Sequence, residues 1–208
     1  MTNKKDCSQM TIWFAASLLS LFAISGCSEE SSTSTSSQSG GPPKWKQNYE
    51  KSLEYYKSGD YAKMIPLLEE AKDEAKQATG AGSVDWGDYE TRLARAYYFT
   101  GNYPKAYAAA ADATTVLEAA RAGTSNRYRA NWFAGCAAAD DHKLDEALPY
   151  LIRALNLTKE TDSEWNMKNA LSTLYDKLIL CYMAKNDHLK VDELKKQKEA
   201  ALKAKGLK

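Results

Sequence analysis

The sequence has few residues that could support catalysis or bind a metal. It contains two histidines, His142 and His188, and they are too far apart to form a paired metal motif. Cys-x-x-Cys pairs, calcium-loop carboxylates, glycine-rich phosphate loops and Gly-x-Ser-x-Gly elbows are all absent from it. The sequence therefore predicts no metal, no cofactor and no enzyme activity, although an enzyme with no recognisable motif stays open as an alternative.

The sequence also lacks an excess of charge. It has 28 basic and 27 acidic residues, and removal of residues 1–26 would leave 26 of each sign. A protein that binds nucleic acid normally carries a basic excess. The charge balance therefore predicts that nucleic acid is not a partner.

No apolar run is long enough for a typical membrane-spanning helix. Lys4 and Lys5 precede an apolar stretch from Thr11 to Ser25, which is about 15 residues long where a spanning helix needs about 20. Small residues and a cysteine follow in Ile24-Ser25-Gly26-Cys27. This arrangement is typical of an export signal, and an ordinary secretory peptide or an uncleaved helix are the alternatives.

The segment Ile24–Cys27 resembles the lipobox of bacterial lipoproteins, with Ile24 where leucine is usual. The resemblance implies a signal peptide over residues 1–26 and a mature N-terminus at Cys27, which would carry a diacylglycerol and an N-acyl chain such as palmitate. Each buried CH₂ contributes about 0.8 kcal/mol, so several chains hold firmly. Ser28 follows in place of aspartate, which by resemblance to enterobacterial sorting implies the outer membrane, facing the periplasm.

Residues 27–43 form a predicted tether. Ser28 to Pro43 is rich in serine and threonine and has no apolar side chain to bury, so it cannot offset the entropy of ordering. A flexible chain of about 16 residues spans roughly 20–25 Å. The remaining residues, 44–208, are enough for one domain with a hydrophobic core.

The domain contains a repeated pattern. Four segments share the same spacing: Tyr55–Met64, Tyr97–Ala106, Ala138–Ala147 and Tyr182–Val191. Their turn positions hold Gly59, Gly101, His142 and Asn186, which are 42, 41 and 44 residues apart. Ala71, Ala113 and Ala154 follow the first three segments at equal distance, and Lys198 departs in the fourth. Small residues let two helices approach closely, and glycine or asparagine ends a helix in the left-handed conformation.

These residues resemble the tetratricopeptide repeat (TPR), and the spacing is similar to that of the kinesin light-chain type rather than the common period of about 34. The resemblance implies an all-α fold, a TPR-like helical-hairpin solenoid of about 3.5–4 repeats over residues 44–208. The lysine-rich segment from Leu189 to Lys208 would be its C-terminal capping helix, with contact to an anionic surface as the alternative.

The resemblance further implies a concave groove lined by the first helix of each hairpin. Aromatic and arginine side chains, which are enriched at binding hot spots, fall on this face, and they would suit an extended peptide or helix with acidic groups. Some of these rings could equally be core. The predicted groove residues are Lys46, Tyr49, Tyr56, Lys57, Asp88, Arg95, Tyr98, Arg129, Trp132 and Asp140, with Leu53, Phe99 and Cys136 at the same helical phase.

Two functions follow as hypotheses. The first is a membrane-anchored, non-catalytic adaptor that binds another protein or peptide of the bacterial cell envelope in its groove. The alternative is an envelope protein that binds cell-wall glycan or a small ligand, since aromatic and arginine side chains also stack on sugars.

Cys136 and Cys181 remain after Cys7 and Cys27 are assigned to the signal and the lipid. In an exported protein they could form a disulfide, which requires Cα atoms within about 7 Å. A buried free cysteine behaves as a small apolar residue, and the sequence favours this second interpretation.

Overall fold

The computed structural model describes residues 41–158, 167–204 and 206, with the backbone alone for residues 167 and 168. Residues 40–208 form one compact unit. The predicted signal peptide, the lipidation site Cys27 and most of the tether lie outside the described residues. Among the helices described, none is both long and apolar enough to cross a bilayer.

The described chain is all-helical, and no strand occurs in these ranges. Helices pair as consecutive antiparallel hairpins, and the first helix of each hairpin packs against the hairpin before it. The predicted all-α hairpin solenoid with a C-terminal helix is confirmed. The helices are α1 (Lys44–Ser58), α2 (Tyr61–Glu70), α3 (Lys72–Thr79), α4 (Val84–Phe99), α5 (Tyr103–Ala119), α6 (Thr124–Asp140), α7 (Leu144–Leu157), α8 (Met167–Ala184) and α9 (His188–Ala204).

We call α1, α4, α6 and α8 the A helices. The B helices are α2 with its continuation α3, then α5, α7 and α9. Consecutive A helices α4, α6 and α8 pack against one another, whereas the extensive contacts within the described ranges include none between two B helices. The A helices therefore form a continuous layer with one exposed surface, the A face, and the B helices are separated by grooves on the opposite surface, the outer grooves.

Each A helix ends at the residue that the repeat pattern places at the turn. Gly59, Gly101, His142 and Asn186 have φ of 74°, 80°, 61° and 57°. In each case the next N–H donates to the carbonyl that begins the repeat pattern, as from Asp60 to Tyr55 at 2.9 Å. This is the Schellman motif, which satisfies carbonyls left open at a helix end. The left-handed helix end predicted for glycine and asparagine is confirmed at Gly59, Gly101 and Asn186, and His142 adopts the same conformation.

Small residues lie where the two helices of a hairpin cross. Ala106, Ala147 and Ala154 on the B helices are completely buried. On α6, a Cβ added to Gly135 would lie 2.7 Å from Leu151 Cγ and 3.0 Å from the Leu151 backbone nitrogen. The backbones of α6 and α7 therefore approach so closely that a larger residue at position 135 would force one of the helices to shift.

The B helix of the first hairpin is interrupted at Ala71, where φ is −100° and ψ is 4°. The carbonyls of Leu67 and Leu68 would each accept a helical N–H in a continuous helix. Instead Asn48 Nδ2 on α1 donates to Leu67 O at 3.2 Å, and the Tyr89 hydroxyl on α4 donates to Leu68 O. Side chains of two A helices thus satisfy the carbonyls of the interrupted turn, which would be costly to bury unpaired.

Candidate interaction face

The predicted groove residues lie on the A helices at three levels of exposure. Lys46 and Lys57 are exposed. Tyr49, Tyr56, Asp88, Tyr98, Arg129 and Asp140 are half-buried. Arg95 and Trp132 are each only 4 % exposed, so they support the A face from beneath rather than present much surface to a ligand.

Asp88 is the centre of the first polar cluster on this face. The Tyr49 hydroxyl on α1 donates to Asp88 Oδ2 at 2.8 Å, and Arg92 Nε donates to the same oxygen at 2.9 Å. Arg129 on α6 places Nη2 3.5 Å from Asp88 Oδ1. Burial alone would raise the pKa of the Asp88 carboxyl, but Arg92, Tyr49 and Arg129 outweigh it and the pKa is lowered. One carboxylate therefore joins three successive A helices.

Arg95 lies beside this cluster and stacks between rings. Its guanidinium is 4.5 Å from the centre of the Tyr56 ring and 5.4 Å from that of Phe133. Burial, together with the nearby cations Arg129 and Arg92, lowers the pKa of Arg95. Such ring contacts hold a guanidinium in place while leaving its charge intact. Three guanidinium groups thus converge on a small part of the A face.

A second cluster continues the pattern toward the last hairpin. The Tyr98 hydroxyl on α4 donates to Asp140 Oδ2 at 2.9 Å, and Lys177 Nζ on α8 donates to Asp140 Oδ1. The Tyr98 ring packs edge-on against Trp132 at 5.6 Å, and Trp132 Nε1 donates to the Ala170 carbonyl at 2.9 Å. The second carboxylate also joins three A helices, here α4, α6 and α8.

A cleft of about 480 Å³ opens on the A face between α1 and α4. Its walls include Trp45, Tyr49 and Tyr89, with the carboxylates of Asp85 and Asp88. Tyr49 and Tyr89 stack with centroids 6.1 Å apart. Aromatic walls with a few polar groups are the usual lining of small-ligand sites, so this part of the A face is suited to a compact group.

The cysteines offer no reactive centre. Cys136 and Cys181 are free and completely buried. Burial raises the pKa of the Cys181 thiol to about 11 and raises that of Cys136 well above its usual value, which keeps both in the unreactive thiol form. Among the described residues, no group of histidine, cysteine and carboxylate side chains is arranged to hold a metal ion.

Sequence reasoning missed two cations of this face, Arg92 and Lys177. Arg92 lies one helical turn after Asp88, and an i, i+4 acid–base pair on a helix is a recognisable signal. Lys177 belongs to the fourth, weakest copy of the repeat, for which no groove residues were predicted. Its ion pair with Asp140 spans α8 and α6, and no local pattern in the sequence indicates it.

No protein-family model and no curated protein matches this chain. Solved structures do match this chain. A crystal structure of nearly identical TPR-like repeats of a Podosopora anserina putative kinesin light chain is 18% identical, with a TM-score of 0.59, and covers 80% of this chain and 79% of its own. The crystal structure of a single-residue variant of these repeats is 20% identical, with a TM-score of 0.60, and covers 78% of this chain and 76% of its own. Likeness at this identity shows the fold alone, and the predicted TPR-like fold is confirmed.

Proposed function

We propose that this protein is a membrane-tethered, non-catalytic adaptor of the bacterial cell envelope, whose A face binds an acidic segment of another protein. The observation that carries the proposal is the pairing of Arg92 and Arg129 with the single carboxylate of Asp88, with the guanidinium of Arg95 close to both arginines. TPR-like arrays commonly act as scaffolds for protein interaction, which supports an adaptor over an enzyme.

The electrostatics of the A face favour an acidic ligand. Guanidinium groups that are partly withdrawn from water gain more from a carboxylate than exposed ones do. Arg92 and Arg129 have side chains 20% and 26% exposed, so each still reaches solvent. Lys46 and Lys57 add exposed positive charge on α1, where they could increase the rate of encounter with an acidic partner.

The rings beside these cations provide the apolar part of the surface. Tyr49 and Tyr56 are half-buried on α1, and Phe99 on α4 is 48% exposed and stacks on Tyr61 at 4.5 Å. Tyrosine and arginine are the residue types that dominate binding energy at protein interfaces. A segment that alternates acidic and apolar side chains would therefore complement this face.

The tether belongs to the same proposal. A lipid on Cys27 would confine the domain to within a few tens of ångströms of the membrane, since the predicted linker spans roughly 20–25 Å. Confinement raises the effective concentration of a membrane partner without fixing the orientation of the domain. We also propose that the protein is a TPR-type lipoprotein with a long repeat spacing, and that it is located in the outer membrane and faces the periplasm.

Fluorescence anisotropy with labelled decapeptides tests the acidic preference. One peptide alternates glutamate and leucine, and its matched partner alternates lysine and leucine. We expect residues 40–208 to bind the acidic peptide, with at least about tenfold loss in a Lys46→Glu/Lys57→Glu/Arg129→Gln variant, because charge removal at a complementary interface costs one or more powers of ten. Arg95 and Trp132 are left unchanged because they are buried.

The matched control is Lys196→Glu, which removes one exposed positive charge on α9, away from the A face. It should bind the acidic peptide as the wild type does. Equal binding of the two peptides, or an equal loss in the control variant, would contradict the proposed site.

The cleft between α1 and α4 supports a second candidate, binding of a cell-wall glycan fragment. Trp45 and Tyr49 provide ring faces, and Asp85 and Asp88 provide acceptors for sugar hydroxyls. A thermal-shift measurement with purified cell-wall fragments distinguishes the two functions, since a ligand that binds only the folded state raises the Tm. A shift that is lost in Trp45→Ala and kept in Arg129→Gln would favour the glycan.

A further inference from the structure

The three outer grooves are equivalent by position and differ in chemistry. The first lies over α4, between the B helices α2–α3 and α5, has a volume of about 400 Å³ and contains Glu69, Lys72, Lys105 and Asp112. The second lies over α6, between α5 and α7, has a volume of about 490 Å³ and contains Glu118, Arg127 and Arg153. Each of these two grooves carries side chains of both charges.

The third outer groove, between α7 and α9 over α8, is larger and mostly apolar. Its volume is about 580 Å³, and its walls include Ile152, Leu155, Leu178 and Leu194. Lys190 is the one charged residue among its described lining residues. The first two grooves occupy equivalent positions and carry charged side chains. The apolar lining is therefore particular to the third groove and does not follow from the fold.

Small residues on α9 keep this groove open. Ala200, Ala201 and Ala204 line it where longer side chains on α9 would fill the space. Ile152 on the opposite wall remains 37% exposed.

We infer that the third outer groove binds the alkyl chain of a long-chain fatty acid, with its carboxylate at Lys190. This site goes beyond the proposed A-face function and does not depend on it. The volume lies within the usual range of small-ligand sites, about 300–1,000 Å³.

The charge of the groove selects the head group. Lys190 Nζ is 2.8 Å from Glu193 Oε2 in an exposed pair, and exposed pairs of this kind contribute little and exchange readily. A fatty-acid carboxylate would therefore find a cation at the end of the apolar walls, where it would replace Glu193 as the partner of Lys190. A neutral alcohol of the same chain length would lack this interaction.

Calorimetric titration of residues 40–208 with laurate, below the concentration at which it forms micelles, tests the site. We expect binding of one laurate per chain. Ala200→Trp, which places an indole at the edge of the groove, should weaken binding by at least about tenfold. Its matched control is Ala108→Trp, which makes the same change in the first outer groove and should leave laurate affinity unchanged; far-UV circular dichroism of both variants verifies the helical fold.

The head-group assignment is tested by charge reversal. Lys190→Glu should weaken laurate binding by at least about tenfold and leave binding of 1-dodecanol unchanged, whereas Lys196→Glu on the same helix should change neither. Absence of laurate binding to the wild type, as expected if another part of the chain or a protein partner occupies the groove, would overturn the inference. Equal affinity for laurate in the wild type and Ala200→Trp would also overturn it.

Discussion

Replacement of Gly135 by alanine tests whether close helix contact holds the third hairpin together. The added methyl would lie 2.7 Å from Leu151 Cγ and 3.0 Å from the Leu151 backbone nitrogen. Side-chain rotation cannot relieve both contacts, because one involves the backbone of α7. The helices must therefore move apart, and α6 has buried residues on every side from Ala130 to Ala139.

Two opposing effects set the size of the destabilisation caused by Gly135→Ala. Alanine favours a helix interior over glycine by about 1 kcal/mol, while an extra methyl in a packed core costs about 1–3 kcal/mol. The backbone contact puts this site in the upper part of that range, so the net destabilisation should be about 1–2 kcal/mol. For a domain of this size the Tm should fall by about 2–8 °C.

Urea unfolding of residues 40–208, followed by circular dichroism, measures the change as a lower midpoint at an unchanged slope. Gly82→Ala is the control, because nothing lies within 4 Å of a Cβ at that loop position, and it should not destabilise. Leu151→Ala combined with Gly135→Ala should cost less than the sum of the single changes by about 1 kcal/mol. A Gly135→Ala variant as stable as the wild type, or strict additivity of the pair, would refute the packing argument.

Four further predictions concern single groups. Burial raises the pKa of the Glu90 carboxyl above its usual value of 4.5. The folded state therefore loses stability as the pH rises from 4.5 through the raised pKa, because the buried carboxyl must then ionise. Glu90→Gln should be more stable than the wild type at pH 7, and the difference should vanish in thermal melts well below pH 4.5. His142 has a φ of 61°, so His142→Gly should stabilise by up to about 1 kcal/mol in urea unfolding, and a lower midpoint would contradict this. Cys136 and Cys181 are completely buried, so a thiol reagent should label neither within minutes in native buffer and both in urea. Cys27→Ser in the full chain should move the protein from the membrane fraction to the soluble fraction, and retention after extraction of peripheral proteins would refute the lipid anchor.

The hairpins could be predicted from sequence because helix ends are determined locally. A residue that takes the left-handed conformation ends its own helix, and the repeat pattern located Gly59 and Gly101 directly. The alignment of the copies placed Asn186 at the same turn position, and it placed His142 there as well, although a histidine side chain does not by itself indicate a turn.

The interruption at Ala71 could not be predicted, because its cause lies in other helices. It depends on donors from Asn48 and Tyr89, which approach the open carbonyls only after α1 and α4 have packed. The polar bonds of the A face could not be predicted for the same reason. The sequence indicated which side of each helix forms this face, but the bonds from Tyr49 to Asp88 and from Tyr98 to Asp140 join residues about 40 positions apart.

The carboxylates of Asp88 and Asp140 also bear on how the array can deform. Asp88 joins α1, α4 and α6, and Asp140 joins α4, α6 and α8, so polar bonds link each pair of neighbouring A helices. Solenoids bend by small rotations between neighbouring repeats. Here those rotations should pivot on the A face and open or close the outer grooves, which makes the width of each outer groove the quantity that changes when the array flexes.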